Sequence, residues 1–198
     1  MTNEVTSILL AGVGGQGTIL VSKVLTLGLI RAGYDVKMSE IHGMAQRGGS
    51  VSTQVRYGRK VCSPIIGGGE ADVLVAFEKM EAVRYARYLK PSGAVVINEY
   101  EIMPMTVANG SASYPEGTIE AMRKAFPGAG RCVTLPAAAI ATELGSPRCM
   151  NIVLFGALVQ MLGLNGIDWN EILSEILPEK VLELNRKAFR AGQEACNG

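Results

Sequence analysis

Residues 5–17, Val-Thr-Ser-Ile-Leu-Leu-Ala-Gly-Val-Gly-Gly-Gln-Gly, decide the fold. Val5 to Ala11 is an apolar run that ends in glycines, as a buried parallel strand does. Gly12-Val13-Gly14-Gly15-Gln16-Gly17 then satisfies GxGxxG. Gln16 to Ala32 reads as a helix closed by Gly33 at its C′ position, and Tyr34 to Ser39 as a second strand. Strand, glycine loop, helix, strand is the opening of a doubly wound α/β domain.

The glycines let the backbone turn tightly and bring its amides close to a ligand. A helix N-terminus adds unpaired N–H groups and a partial positive charge suited to a phosphate. Glu40, at the end of the second strand, stands where a ribose-binding carboxylate could sit. Two readings stay open on these residues. Gly12, Gly14, Gly15 and Gly17, with amide donors near Gln16, bind a cofactor; or the loop is a tight turn packed against protein. A Walker A loop is excluded, because Thr18-Ile19 follows Gly17 in place of Lys-Ser/Thr.

Working outward, Ser39-Glu40-Ile41-His42-Gly43-Met44-Ala45-Gln46-Arg47-Gly48-Gly49-Ser50 holds the chain's one histidine and sets Gln46 and Arg47 before a Gly-Gly pair. A loop at the carboxyl ends of strands is where ligands and partners bind. Arg47 is the candidate for a carboxylate or phosphate, since its planar fork grips either bidentately. A salt bridge across a subunit interface is the alternative. His42 reads either as structural or as part of a binding surface.

Val51 to Tyr57 alternates as a half-exposed strand. It is expected to pair across Gly58-Arg59-Lys60 with Val61 to Ile66, as an antiparallel hairpin at the sheet edge. Strand 71–77, helix 78–89 and strand 94–98 follow, the last two joined by a turn at Pro91-Ser92-Gly93. Helix 118–126 and strand 131–135 lead into helices 136–144, 149–162, 169–177 and 179–195. The expected fold is α/β: a mostly parallel, Rossmann-like sheet with an antiparallel hairpin edge and a helical C-terminal section. No repeat or long linker divides it, so residues 1–198 are expected to form one domain.

With 198 residues, 48% hydrophobic and net charge +1, the chain has globular composition and no basic field for nucleic acid. Cys62, Cys132, Cys149 and Cys196 form no CxxC pair, which argues against a metal or cluster held by this chain alone. The apolar stretches Ile19–Ile30 and Ile152–Leu162 are short and carry polar residues, so no membrane span is expected. The N-terminus has no basic n-region, and a reducing, cytoplasmic setting is expected.

The glycine loop GVGGQG (12–17) followed by SEIHGMAQRGGSV (39–51) resembles the gamma subunits and gamma domains of 2-oxoacid:ferredoxin oxidoreductases. Ser63-Pro64, Gly69-Glu70-Ala71-Asp72-Val73-Leu74, Leu89-Lys90-Pro91-Ser92-Gly93 and Pro147-Arg148 with Asn151 extend the likeness over nearly the whole chain. The resemblance implies oxidative decarboxylation of a 2-oxoacid (indolepyruvate, pyruvate or a related acid) to an acyl-CoA, with electrons passed to ferredoxin. It implies thiamine diphosphate, magnesium, iron–sulfur clusters and coenzyme A in the complex. This sequence shows neither closely spaced cysteines nor a Gly-Asp-Gly followed by Asn-Asn, so a partner subunit must carry those groups. The chain is then expected to be inactive alone, and able to form a homodimer when isolated. Glu40, His42, Met44, Gln46 and Ser50 are expected at the partner interface, with no catalytic residue and no metal ligand. A nucleotide-binding dehydrogenase-like domain and a non-catalytic scaffold are the alternatives.

Overall fold

The computed structural model describes residues 5–42, 48–127 and 132–196. The elements are β1 (Thr6–Val13), α1 (Thr18–Arg31), β2 (Asp35–His42), β3 (Ser50–Gly58), β4 (Ala71–Ala76), α2 (Lys79–Tyr85), β5 (Leu89–Asn98), α3 (Met105–Ala108), α4 (Thr118–Ala125), β6 (Cys132–Leu135), α5 (Ala137–Glu143), α6 (Met150–Leu162), α7 (Trp169–Ile176) and α8 (Glu179–Ala195).

Six strands form a sheet in the order β2-β3-β1-β4-β5-β6. β1, β4, β5 and β6 are parallel, while β3 runs antiparallel to both β1 and β2. The sheet is therefore mostly parallel with an antiparallel edge, as the sequence implied. The hairpin's membership is different. β3 pairs back onto β2, from Asp35 opposite Gly58 to His42 opposite Val51.

Residues 61–66, expected as the other hairpin strand, are not a strand. Their backbone is claimed by side chains. The Val61 amide donates to Asp35 at 2.8 Å and the Ile66 amide to Gln54 Oε1 at 2.6 Å. The Arg56 guanidinium holds the carbonyls of Ser63 and Ile65 at 3.2 and 3.0 Å. Pro64 has no amide to give a ladder. A second difference lies at Pro91-Ser92-Gly93. These residues fall within β5, which starts at Leu89, and the register with β4 shifts between Ala71 and Val73.

Alternation along the strands splits the core in two. Ile8, Leu10, Val73 and Val75 face α1 and the C-terminal helices. Leu9, Ala11, Leu74 and Ala76 face the layer that carries Ala82 of α2 and Met122 of α4. The run Met150–Val159 in α6 is buried all round, which explains an apolar helix without a polar face. α6 lies against α8 at glycines: a Cβ on Gly156 would strike the Phe189 carbonyl, and one on Gly192 the Val153 carbonyl. Gly28 of α1 likewise leaves room for the Trp169 ring, which meets Phe155 edge-on at 5.0 Å. No helix among the described residues is long and apolar enough to cross a membrane.

Candidate functional site

Because β1, β2, β4 and β5 run the same way, their carboxyl ends and the glycine loop share one edge of the sheet. Gly12 is packed closely at the end of β1. A Cβ there would come within 3.0 Å of both Phe77 and Gln16. Gly15 (φ 102°) and Gly17 (φ 81°) adopt the left-handed region, which favours glycine. Gly17 is also pressed by Asn151 at the start of α6, whose side-chain amide donates to the Gly17 carbonyl at 3.4 Å.

Gln16 staples the loop from within. Its Oε1 accepts from the Val13 amide at 2.7 Å, and its Nε2 donates to the Phe77 carbonyl at 2.9 Å. Asn98 donates to the same carbonyl at 3.0 Å and accepts from the Ala137 amide at 3.1 Å. The ends of β1, β4 and β5 are thus tied together by two side-chain amides. The Gln16 backbone amide returns to Val13 and the Gly14 amide goes to Gly49, at 3.1 and 2.9 Å. The loop's remaining donors lie at the head of α1, where Thr18 and Ile19 have no helical carbonyl before them.

A crevice of about 330 Å³ opens between the glycine loop and the ends of β2 and β3. Its walls include Gly15, Thr18, Ile19, Glu40, Val51 and Thr53. Ile19 and Ile41, both on it, are 46% and 50% exposed. Among the described residues no basic side chain lines it, and the exposed Glu40 carboxylate works against an anion. Met44, Gln46 and Arg47 lie outside the described residues, as does the His42 side chain. The structure therefore brings Gly14, Gly15, Gly17 and Glu40 to one crevice, packs Gly12 inside, and turns Gln16 inward.

This geometry fits a dinucleotide poorly. β3 sits between β1 and β2, so Glu40 is one strand further from the glycine loop than in a Rossmann βαβ unit. The Gly14 amide, which would face a pyrophosphate, is already bonded.

Ser50 does not project freely. Its hydroxyl donates to Glu81 at 2.6 Å and lies 3.2 Å from the Tyr85 hydroxyl. Beside it, Glu78 caps α2 by accepting from the Glu81 amide at 3.1 Å. Glu78 also accepts from the Ile102 amide at 3.3 Å and from the Tyr114 hydroxyl. Burial pushes the Glu81 carboxyl up, against the opposing pull of Ser50 and Arg84. Burial and the bond to Glu78 raise the Tyr114 phenol. Sequence reasoning did not single out this pair; the Glu78-x-x-Glu81 spacing at a helix start was the available signal.

Among the described residues no group of three or more His, Cys, Asp or Glu side chains is placed to hold a metal. Burial raises the Cys132, Cys149 and Cys196 thiols, the direction opposite to thiolate activation.

A family model described as pyruvate ferredoxin/flavodoxin oxidoreductase matches residues 7–195. The indolepyruvate oxidoreductase subunit IorB of Thermococcus kodakarensis is 38% identical over 194 residues, covering 96% of this chain and 95% of that one. The keto/oxoacid ferredoxin oxidoreductase gamma subunit from Geobacter sulfurreducens has the same fold, with a TM-score of 0.70 at 23% identity over 97% of this chain and 98% of that chain. The 2-oxoglutarate:ferredoxin oxidoreductase from Magnetococcus marinus, solved with 2-oxoglutarate, coenzyme A and succinyl-CoA, gives a TM-score of 0.73 at 25% identity. That match covers 99% of this chain but 32% of the other.

Proposed function

The chain belongs to the pyruvate ferredoxin/flavodoxin oxidoreductase family, as a subunit of the 2-oxoacid:ferredoxin oxidoreductase type, and we propose that its complex decarboxylates indolepyruvate. The product is the acyl-CoA, and ferredoxin takes the electrons. The reading rests on one observation: 38% identity to an indolepyruvate oxidoreductase subunit along almost the full length of both chains. The whole chain, 1–198, acts as one unit in the cytoplasm, and it is inactive alone.

Thiamine diphosphate, magnesium and the iron–sulfur clusters belong to the partner subunit in this reading. The described side chains do not fit a cluster or metal, for no three or more His, Cys, Asp or Glu among them are placed to hold one. Coenzyme A accepts the acyl group when bound to the complex. This chain's part is to shape one wall of its site. The α1 amides at Thr18 and Ile19, with Gly15, Gly17 and Arg47, receive an anionic group at the glycine-loop end of the crevice: a phosphate of coenzyme A or of the partner's thiamine diphosphate, or a partner carboxylate, while Gly14 braces the loop through its bond to Gly49. Gly12 and Gln16 hold that loop in shape. Glu40, His42, Met44 and Gln46 face the partner, and Ser50 sets the loop's return through Glu81.

The test is reconstitution with the large subunit of the complex. Viologen reduction should require indolepyruvate, coenzyme A and both chains. Full turnover by the large subunit alone, or by this chain alone, would overturn the reading. Arg47→Ala should fold normally yet raise the coenzyme A requirement, because a desolvated charged partner is worth about 2–5 kcal/mol.

A further inference from the structure

Large apolar side chains are not scattered evenly over the exterior. Among the described residues the exposed ones are Ile19, Ile30, Ile41, Ile65, Val83, Tyr100, Met103 and Met105. Five of these eight, Ile19, Ile41, Tyr100, Met103 and Met105, lie on the carboxyl edge. The first two flank the crevice at the β2 end. The other three follow β5, where the Tyr100 carbonyl accepts from the Lys79 amide at 3.0 Å and the Ile102 amide reaches Glu78. Met105 is 81% exposed.

From β2 to β5 the edge crosses four strand spacings, ~19 Å. Exposed Glu40, Glu99 and Arg148 border it with charge of both signs. An apolar centre inside a mixed polar rim is the anatomy of a protein interface, and a surface this apolar is costly to leave in water. Its two ends differ in shape. One is a crevice with room for a bulky side chain; the other is a segment of flexible methionines that can mould to a surface.

The occupant follows from chain length. In the Magnetococcus marinus enzyme the counterpart of this chain is 32% of one longer polypeptide. There the unit is tied covalently to the remaining two-thirds. The Thermococcus kodakarensis subunit, 95% of which this chain covers, is a separate chain, and such a subunit must find by affinity what the longer chain holds by linkage; it needs a face to do so.

We propose that the carboxyl edge from Ile41 to Met105 is that face, and that the partner subunit seats an apolar side chain against Ile19 and Ile41, at the β2 side of the crevice and away from its glycine-loop end, and covers the Tyr100–Met105 segment. The proposal rests on the subunit reading above and adds the surface, its two anchor points and the chemistry of what fills them.

The experiment uses the full chain and its large subunit. Binding is measured for wild type, Ile41→Asp, Met105→Asp, and for Ile30→Asp as a variant away from the edge. Thermal melts check folding. Ile41→Asp and Met105→Asp should each weaken binding about tenfold or more, as anchor residues do, with melting unchanged. Ile30→Asp should bind like wild type. Wild-type affinity in both edge variants would overturn the proposal while leaving the subunit reading intact. Absence of any association by the wild-type chain would sink both. Self-association that the edge substitutions abolish, with binding to the large subunit preserved, would give the face to a homodimer and overturn the proposal. If an Asp variant melts early, Ile41→Ser and Met105→Ser carry the same comparison.

Discussion

The side-chain amide of Asn151 lies against the α-carbon of Gly17, 134 residues earlier in the chain, and donates to its carbonyl. The glycine loop is therefore clamped from the C-terminal half as well as by its own strand. Gly17→Ala puts a methyl into that amide at φ 81° and should cost about 1–3 kcal/mol. Adding Asn151→Ala should restore the share due to the clash and leave the share due to backbone strain. A double-mutant cycle by urea denaturation reads the difference; strictly additive losses would show that the contact carries no energy.

Gln16 uses both ends of its amide, so its replacements should not be equivalent. Gln16→Ala strands the Val13 amide and removes one donor to Phe77, with an expected loss of about 1–3 kcal/mol. Gln16→Glu keeps the acceptor for Val13 but sets a carboxylate oxygen against the Phe77 carbonyl. It should therefore destabilise the protein more at neutral pH than at pH 4. Chemical denaturation at the two pH values checks this.

Glu81 gives a pH dependence whose sign is fixed. Its side chain is 3% exposed, and burial raises its pKa above the ordinary value of 4.5. Below that value the carboxyl is neutral in both the folded and unfolded chain, and its contribution is fully present. As pH rises the unfolded chain ionises first, so stability is lost until pH passes the folded pKa. Glu81→Gln removes that loss and retains an acceptor for the Ser50 hydroxyl. Wild type should thus lose stability relative to Glu81→Gln as pH rises from 4.5, as read by denaturant midpoints. A constant difference across pH would contradict a raised pKa.

Gly156 and Gly192 let α6 and α8 approach backbone to backbone. Gly192→Ala forces its methyl into the Val153 carbonyl, and overpacking of this kind costs about 1–3 kcal/mol. Gly166→Ala, where nothing stands within 4 Å, should change the melting temperature little. Equal effects in the two variants would mean that the helices slide apart without penalty.

The parts of this fold written in local pattern were readable. The strand, glycine turn and helix of residues 6–31 follow from apolar runs punctuated by glycine, and the C-terminal helices from their caps. The hairpin was not, because two candidates competed. Val51–Tyr57 has a clean alternation with neighbours on both sides, and the Gly58-Arg59-Lys60 turn favoured the later one. What decided for β2 was remote: Asp35, Gln54 and Arg56 bond the backbone of 61–66, and side-chain polarity does not announce its partner. The role of the Gln16 side chain was not legible for the same reason: its amide bonds the Phe77 carbonyl, 61 residues on. The crevice itself was foreseeable from the shared direction of β1 and β2, whereas the wall of Val51, Ser52 and Thr53 came from β3, the strand inserted between them.

That insertion has a cost in time. On the ribosome β1 and α1 emerge before the rest of this fold, but β1 pairs with β3 and β4, and the buried face of α1 rests against helices that begin near residue 150. At about 5–20 residues per second, Val21, Val24 and Leu25 wait on the order of ten seconds for that cover. A nascent chain of this kind presents an apolar helix face to water for most of its synthesis, and chaperones that greet emerging polypeptides should find it there.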